Sequence, residues 1–258
     1  LIPTYHNQAK PRGEIKRVAI WSGPRNVSTA MMRSWGNRPD TFTHDEPFYA
    51  HYLAHTGLAH PGAEEVMRHG ETDWRAVVGQ ILGPVPEGKT IYYQKQMAHH
   101  LLPHFDRDWL LELRNGFLIR NPKDMLLSLH QKLERITLED TGLPQQLEIF
   151  NYVRKAMGAT PPVIDAADVS NHPKATLTAL CDALGGIPFS DKMLHWPPGR
   201  RETDGIWAKY WYASVEASTG FRPYATSQDP LPDKLLPIFQ ECQRIYEILA
   251  KHRICHSR

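Results

Sequence analysis

Apolar and polar positions along this chain change their period repeatedly. "RVAIW" (17–21), "TIYYQK" (90–95), "GFLIR" (116–120) and "PPVIDA" (161–166) are short apolar or β-branched runs, and helix-like patterns lie between them. Such alternation predicts buried parallel strands covered by helices on both faces, an α/β fold with a central parallel sheet. After the first run the pattern breaks at Ser22-Gly23-Pro24-Arg25-Asn26, and Val27, Ala30, Met31 and Trp35 then share one helical face. This junction reads strand, tight loop, helix, with Asn26 or Ser28 placed to cap the helix. "KLLPIFQECQRIYEILAKH" (234–252) spaces Leu235, Phe239, Cys242, Ile245, Tyr246 and Leu249 helically and predicts a packing helix. "HTGLAHPGAEEVMRHGETD" (55–73) and "EDTGLPQQ" (139–146) read as loops of the kind that cover a site.

A second junction repeats the first. In "GFLIRNPKDMLLSLHQKLERI" the apolar run ends at Arg120, Asn121 is a good N-cap, Pro122 suits the first helical position and Asp124 can complete a capping box. Met125, Leu129, Leu133 and Ile136 mark the buried face, and Ser128 lies about two turns above Asn121, so Arg120 and Ser128 can reach one ligand group. Free N–H groups at a helix start favour an anion, and at the first junction Arg25, Ser28 and Thr29 add a charge and two hydroxyls. Each junction alone is also what an ordinary capped helix looks like; two on one sheet point to a ligand with phosphates at both ends. The lysine-containing loop signature of ATP and GTP enzymes is missing.

Composition narrows the classes. With 258 residues, 41% hydrophobic and 22% charged, we expect a single domain over 1–258 with an N-terminal extension over 1–16. A net charge of +2 predicts no nucleic-acid partner. No window approaches the run of about 18 apolar residues that a membrane span needs, and "LIPTYHNQAKPRGEIKR" has no signal-peptide layout. Cys181, Cys242 and Cys255 are few and widely spaced, which fits a reducing cytoplasm and neither a disulfide framework nor a cysteine zinc site. Among the 14 histidines, His51 and His55 stand at i, i+4 with His60 following, but no cysteine or carboxylate completes a familiar spacing, so no metal site is expected.

The ordered motifs resemble the sulfotransferases that use 3′-phosphoadenosine 5′-phosphosulfate (PAPS). "PRNVST" (24–29) is similar to that family's 5′-phosphosulfate loop, and "RNPKDMLLS" (120–128) matches its R-N-P-x-D-x-x-x-S element for the 3′-phosphate. "GRRETDGIWAKYW" (199–211) resembles the C-terminal element, with Arg200 and Arg201 as the basic pair and Gly205 and Trp207 as the G-x-W. The resemblance implies a P-loop-like fold, PAPS as co-substrate without a metal, and Arg25, Asn26, Val27, Ser28, Thr29, Arg120, Ser128, Arg200 and Arg201 as its binding residues. Val27 stands where the family's loop has glycine, Ala30 where an aromatic residue often stacks on adenine, and Glu202 where a glycine follows the basic pair.

Sulfuryl transfer needs a base, positive charge on the transferring group and in-line geometry. Arg25 and Lys95 are the expected cations; the resemblance implies the lysine at that strand end. Glu46 in "THDEPFY" lies 21 residues after Arg25, a spacing that resembles the glutamate base of protein-tyrosine sulfotransferases. Other members use a histidine two residues beyond the lysine, which here is Met97, while His99 and His100 follow closely. We assign Glu46 as the base and keep His99 and His100 as the alternative base or as acceptor-orienting groups. Phe48, Tyr49, Tyr52 and Trp74 line an acceptor pocket or belong to the core. The expected partner is a small-molecule acceptor; a homodimer is left open. The rival reading is a non-catalytic nucleotide-binding protein of the same fold.

Overall fold

The computed structural model describes residues 14–254. Most of the expected N-terminal extension, and Cys255, lie outside the described residues. The elements are β1 (Lys16–Ser22), α1 (Ser28–Gly36), β2 (Thr41–Asp45), α2 (Tyr49–Thr56), α3 (Ala63–His69), α4 (Trp74–Leu82), β3 (Ile91–Met97), β4 (Arg114–Ile119), α5 (Pro122–His130), α6 (Leu143–Met157), β5 (Val163–Asp165), α7 (Ala166–Asn171), α8 (Pro173–Ala183), the single turns α9 (Ala208–Trp211) and α10 (Ala213–Glu216), and α11 (Leu236–Ala250). The strands form one parallel sheet in the order β2-β3-β1-β4-β5. Chain direction across the sheet reverses beside β1, so a crevice is expected at the carboxyl ends of the central strands.

Period-two alternation places the helices. On β1, Val18 and Ile20 face a cluster with Met31, Met32 and Trp35 of α1 and Leu177, Leu180 and Cys181 of α8. Ala19 and Trp21 face the opposite cluster, where Met125, Leu126 and Leu129 of α5, Ile149 and Phe150 of α6, and Cys242, Ile245 and Leu249 of α11 pack. The α/β expectation holds, with helices on both faces. No helix among the described residues is long and apolar enough to cross a membrane.

Three sequence expectations need correction. The edge strand β2, "TFTHD", was not anticipated: its inward positions Thr41, Thr43 and Asp45 are polar, so it shows no apolar alternation. Segment 55–73 is not all loop, because α2 runs to Thr56 and α3 forms between Gly62 and Gly70. At the second junction Asn121 does cap α5, accepting from the N–H groups of Lys123 (3.0 Å) and Asp124 (3.3 Å). Asp124, however, does not close a capping box; it accepts from the Ser227 N–H (2.9 Å) and the Tyr224 hydroxyl (2.5 Å), anchoring the C-terminal segment.

β3 is buried along its whole length although three of its seven residues are glutamine or lysine. A central strand has no solvent-facing side, so its glutamines need internal partners. Gln94 donates to the Ile81 carbonyl (2.9 Å) and Gln96 donates to Gln94 (3.1 Å). A related device holds the ends of β1 and β4 together: Gln146 of α6 is fully buried and donates to the carbonyls of Trp21 (2.8 Å) and Leu118 (3.0 Å). Replacing it with leucine removes a donor from each of these buried carbonyls, Leu118 keeping only the longer bond from Asn26 (3.3 Å), so Gln146→Leu should lower the urea-unfolding free energy by about 1–3 kcal/mol. An unchanged midpoint would show that these carbonyls find other donors.

Candidate active site

Where β1 ends, Pro24 to Val27 turn sharply into α1. Among the described residues, the non-glycine positions with positive φ are Arg25 (63°), Val27 (56°) and Glu46 (43°). A β-branched residue there is a backbone outlier, the kind of strain that gathers at functional sites. Val27 thus takes a left-handed turn that glycine would take freely.

The expected cap of α1 is absent. Asn26 turns inward and donates to the Leu118 carbonyl (3.3 Å), Ser28 is already helical, and Val27 at the N-cap offers no side-chain acceptor. The first N–H groups of α1 therefore keep their anion-binding capacity. Arg25 Nε donates to Ser128 Oγ (2.9 Å), and Arg120 donates to the Arg25 carbonyl. The two junctions meet at one point. Arg120 also lies over the Tyr224 ring, 5.5 Å from its centroid. Burial, and then the neighbouring Arg120 charge, lower the Arg25 pKa. Two half-buried guanidiniums held this close favour an anion between them.

At the ends of β2 and β3, Asp45 stands in register with Lys95. Lys95, 2% exposed, donates to Asp45 (3.0 Å), Glu46 (2.5 Å) and the Tyr212 hydroxyl (2.5 Å). Tyr212 in turn donates to Asp45, whose second oxygen accepts from the Gly205 N–H (3.1 Å). The Glu46 N–H donates to the Lys95 carbonyl (3.0 Å), which fixes the carboxylate against the ammonium. Burial alone would lower the Lys95 pKa, but Asp45 and Glu46 outweigh it and raise it well above the ordinary lysine value. One cation between two carboxylates leaves an excess negative charge. Burial, opposed by Lys95 but reinforced by Asp45, raises the pKa of Glu46. Arg33 does not pair with Glu46; it makes a bidentate ion pair with Asp204.

Arg25, Arg120, Glu46, Lys95 and Tyr212 line one cavity of about 380 Å³. Of the expected site residues, Arg25, Asn26, Val27, Ser28, Thr29, Glu46, Lys95, His99, His100 and Arg120 line it, and Ser128 joins through Arg25. Arg200 and Arg201 do not. The Arg201 guanidinium folds back on the carbonyls of Pro198, Gly199 and Arg200 at 3.2–3.4 Å, while the Arg201 N–H donates to Asp204 (2.8 Å). Arg222 and Ser170, which sequence reasoning passed over, line the cavity instead. Trp207 also lines it and donates to the Tyr212 hydroxyl (3.3 Å). Tyr212 and Asp45 were missed too; the adjacent "DE" at a strand end was the available signal for Asp45.

The other wall is aromatic. Tyr49 and Tyr52 stack on His100, with ring centroids 4.9 Å and 4.6 Å away, and Tyr52 meets His99 edge-on at 5.2 Å. Phe48 and Trp74 belong to the core and not to this wall. Burial pushes the His99 pKa down to about 4 and drives His100 well below the ordinary histidine value. Their Nδ1 atoms are buried without a hydrogen-bond partner, and both rings face the cavity.

A family model described as "Sulfotransferase domain" matches residues 16–242. Two curated proteins of Arabidopsis thaliana, named branched-chain-amino-acid aminotransferase-like proteins 2 and 1, are 35% and 34% identical over 91% and 93% of this chain. The chain spans about two fifths of their length, 41% and 42%. Among solved structures, a sulfotransferase from Alicyclobacillus acidocaldarius aligns over 93% of this chain and 97% of its own with a TM-score of 0.54 at 13% identity, a likeness of fold.

The buried imidazoles give the site a pH signature. An unperturbed histidine takes up its proton near 6.5, whereas His99 in the fold does so only near 4. Between those values the unfolded chain binds more protons, so stability present above 6.5 is lost as pH falls toward 4. The urea midpoint should therefore drop between about pH 7.5 and about pH 5, and His99→Gln should flatten part of that drop. Parallel profiles for the two proteins would assign the loss to other groups.

Proposed function

The chain belongs to the sulfotransferase family, and on that premise we propose that it moves the sulfuryl group of PAPS to a hydroxyl or amine of a small-molecule acceptor. The observation that carries this reading is the meeting of both anion-binding junctions with the Lys95–Glu46 pair in one cavity. The uncapped start of α1 and the guanidiniums of Arg25 and Arg120 suit a ligand with phosphates at both ends. The unpartnered Nδ1 atoms of His99 and His100 leave hydrogen-bonding capacity on the aromatic side, where an acceptor would sit.

In the proposed reaction the acceptor's lone pair forms a bond to sulfur and the bond from sulfur to the bridging oxygen breaks. The acceptor proton passes to Glu46, and the charge left on the departing phosphate is balanced by Lys95 and Arg25. Glu46 suits the base role because burial raises its proton affinity. His99 and His100 suit it less, since burial depresses theirs, and we give them the role of orienting the acceptor. All three Lys95 donors are engaged by Asp45, Glu46 and Tyr212. To touch the bridging oxygen, Lys95 must release a partner, and Glu46, with its side chain 12% exposed against 1% for Asp45, is the one able to turn toward the cavity. Donor binding would then free the base.

The relatives' aminotransferase-like names raise a second chemistry, in which a lysine amine forms an imine. Lys95 is poorly suited to it, because its flanking carboxylates hold the amine protonated.

Calorimetric titration with adenosine 3′,5′-bisphosphate in chelator, beside 5′-AMP, should show binding that depends on the 3′-phosphate. Arg120→Ala should weaken that binding by about 1.5–3 kcal/mol while hardly affecting 5′-AMP; equal losses for both ligands would remove Arg120 from the 3′-phosphate site. Glu46→Gln should retain nucleotide affinity and lose about 10²–10⁴-fold in turnover with PAPS. A fully active variant would move the base role to His99 or His100.

A further inference from the structure

Helix α2 has a second chemical face. At about 100° per residue, Tyr49 and Tyr52 point to the cavity while His51 and His55 share another side of the helix. There the fold brings in His104, from the segment that follows His99 and His100, and the three histidines each have a ring nitrogen within 4.8 Å of the others'. The sequence expectation of no metal site rested on the lack of a cysteine or carboxylate at a familiar spacing from His51 and His55. Folding supplies a third imidazole from beyond the end of β3.

Tautomers favour ligation. His51 Nδ1 lies 2.6 Å from the Thr72 carbonyl, which can only accept, so Nδ1 carries the proton and Nε2 keeps its lone pair. That Nε2 faces His104 Nε2 at 3.1 Å. In a tetrahedral site with metal–nitrogen bonds of about 2.0–2.1 Å, neighbouring nitrogens stand about 3.3–3.4 Å apart, so this pair is already close to chelating geometry. A histidine ligand whose other ring nitrogen is held by a carbonyl is the usual arrangement in metal sites. The His55 and His104 rings are 4.4 Å apart and exposed, free to close the remaining gap.

We propose that His51, His55 and His104 form a zinc-binding site with one outward position left for water, which clips α2 to the segment after β3 on the side away from the cavity. This inference is independent of the sulfotransferase chemistry. Its ligand set, three neutral imidazoles, suits zinc and neighbouring divalent ions and does not suit calcium or magnesium.

The test uses the chain without a histidine tag, titrated with zinc chloride by calorimetry. Saturable binding of one zinc per chain is expected, with His55→Ala and His104→Ala each weakening it by at least about tenfold. Both side chains are exposed, so the variants should fold as the parent does, which circular dichroism checks. His69→Ala, an exposed histidine outside the cluster, should leave the affinity unchanged. Zinc-edge absorption should give three imidazole nitrogens at about 2.0 Å. The proposal is overturned by an absence of saturable heat, by stoichiometric binding that survives His104→Ala, or by a coordination shell without three imidazoles.

Discussion

A lysine ammonium sealed at the end of a central strand is the constraint around which this structure is arranged. Lys95 cannot reach bulk water, and an unpaired buried charge costs several kcal/mol. Its partners must therefore come from other elements: Asp45 and Glu46 from the end of β2, and Tyr212 from the turns after α9. Removing one member of such a group typically costs about 3–5 kcal/mol, because the remaining charge stays buried. The network thus fixes where the C-terminal segment crosses the sheet edge. Asp204 strengthens the same crossing by holding Arg33 of α1, and Gly205 donates to Asp45. The carboxylate pair and the aromatic wall that follows each of its strands are positioned together through this charge.

Backbone strain marks the same place. Arg25, Val27 and Glu46 hold left-handed conformations, each of which costs on the order of 1–3 kcal/mol outside glycine. At Val27 the turn leaves the helix start uncapped; at Glu46 it sets the carboxylate against Lys95. Both outcomes shape the cavity, and Val27 also packs against the cluster around Met31 and Trp35. Strain of this kind gathers at functional sites, and here it coincides with the cavity.

The apolar runs that became β1, β3, β4 and β5 were legible because a covered parallel sheet demands them. β2 was not, since an edge strand whose inward side meets Lys95 needs polar residues there and loses its alternation. The capped start of α5 could be read from Asn121 and Pro122, but the destination of Asp124 could not, because its partners Tyr224 and Ser227 lie about a hundred residues away. Residues of the first loop could be placed at a site by local pattern. Arg200 and Arg201 lie off the cavity, which a matching motif could not reveal, because it says nothing of which way a turn sends a guanidinium. Tyr212 and Arg222 carried no local signal at all.

Helix α2 links these observations. It starts directly after Glu46, whose carbonyl accepts the Tyr49 N–H, so any turn of the Glu46 backbone is felt by the helix. Its cavity side carries Tyr49 and Tyr52, stacked on His100, and its other side carries the histidines that meet His104. The segment from His99 to His104 follows β3 just beyond Lys95, so both halves of the aromatic wall grow out of the two residues of one ion pair. If donor binding draws Lys95 away from Glu46, the relative position of α2 and that segment is the degree of freedom that must absorb the change. A metal clip between His51, His55 and His104 would restrain that same freedom from outside the cavity, holding the aromatic wall in register while the charges inside it rearrange.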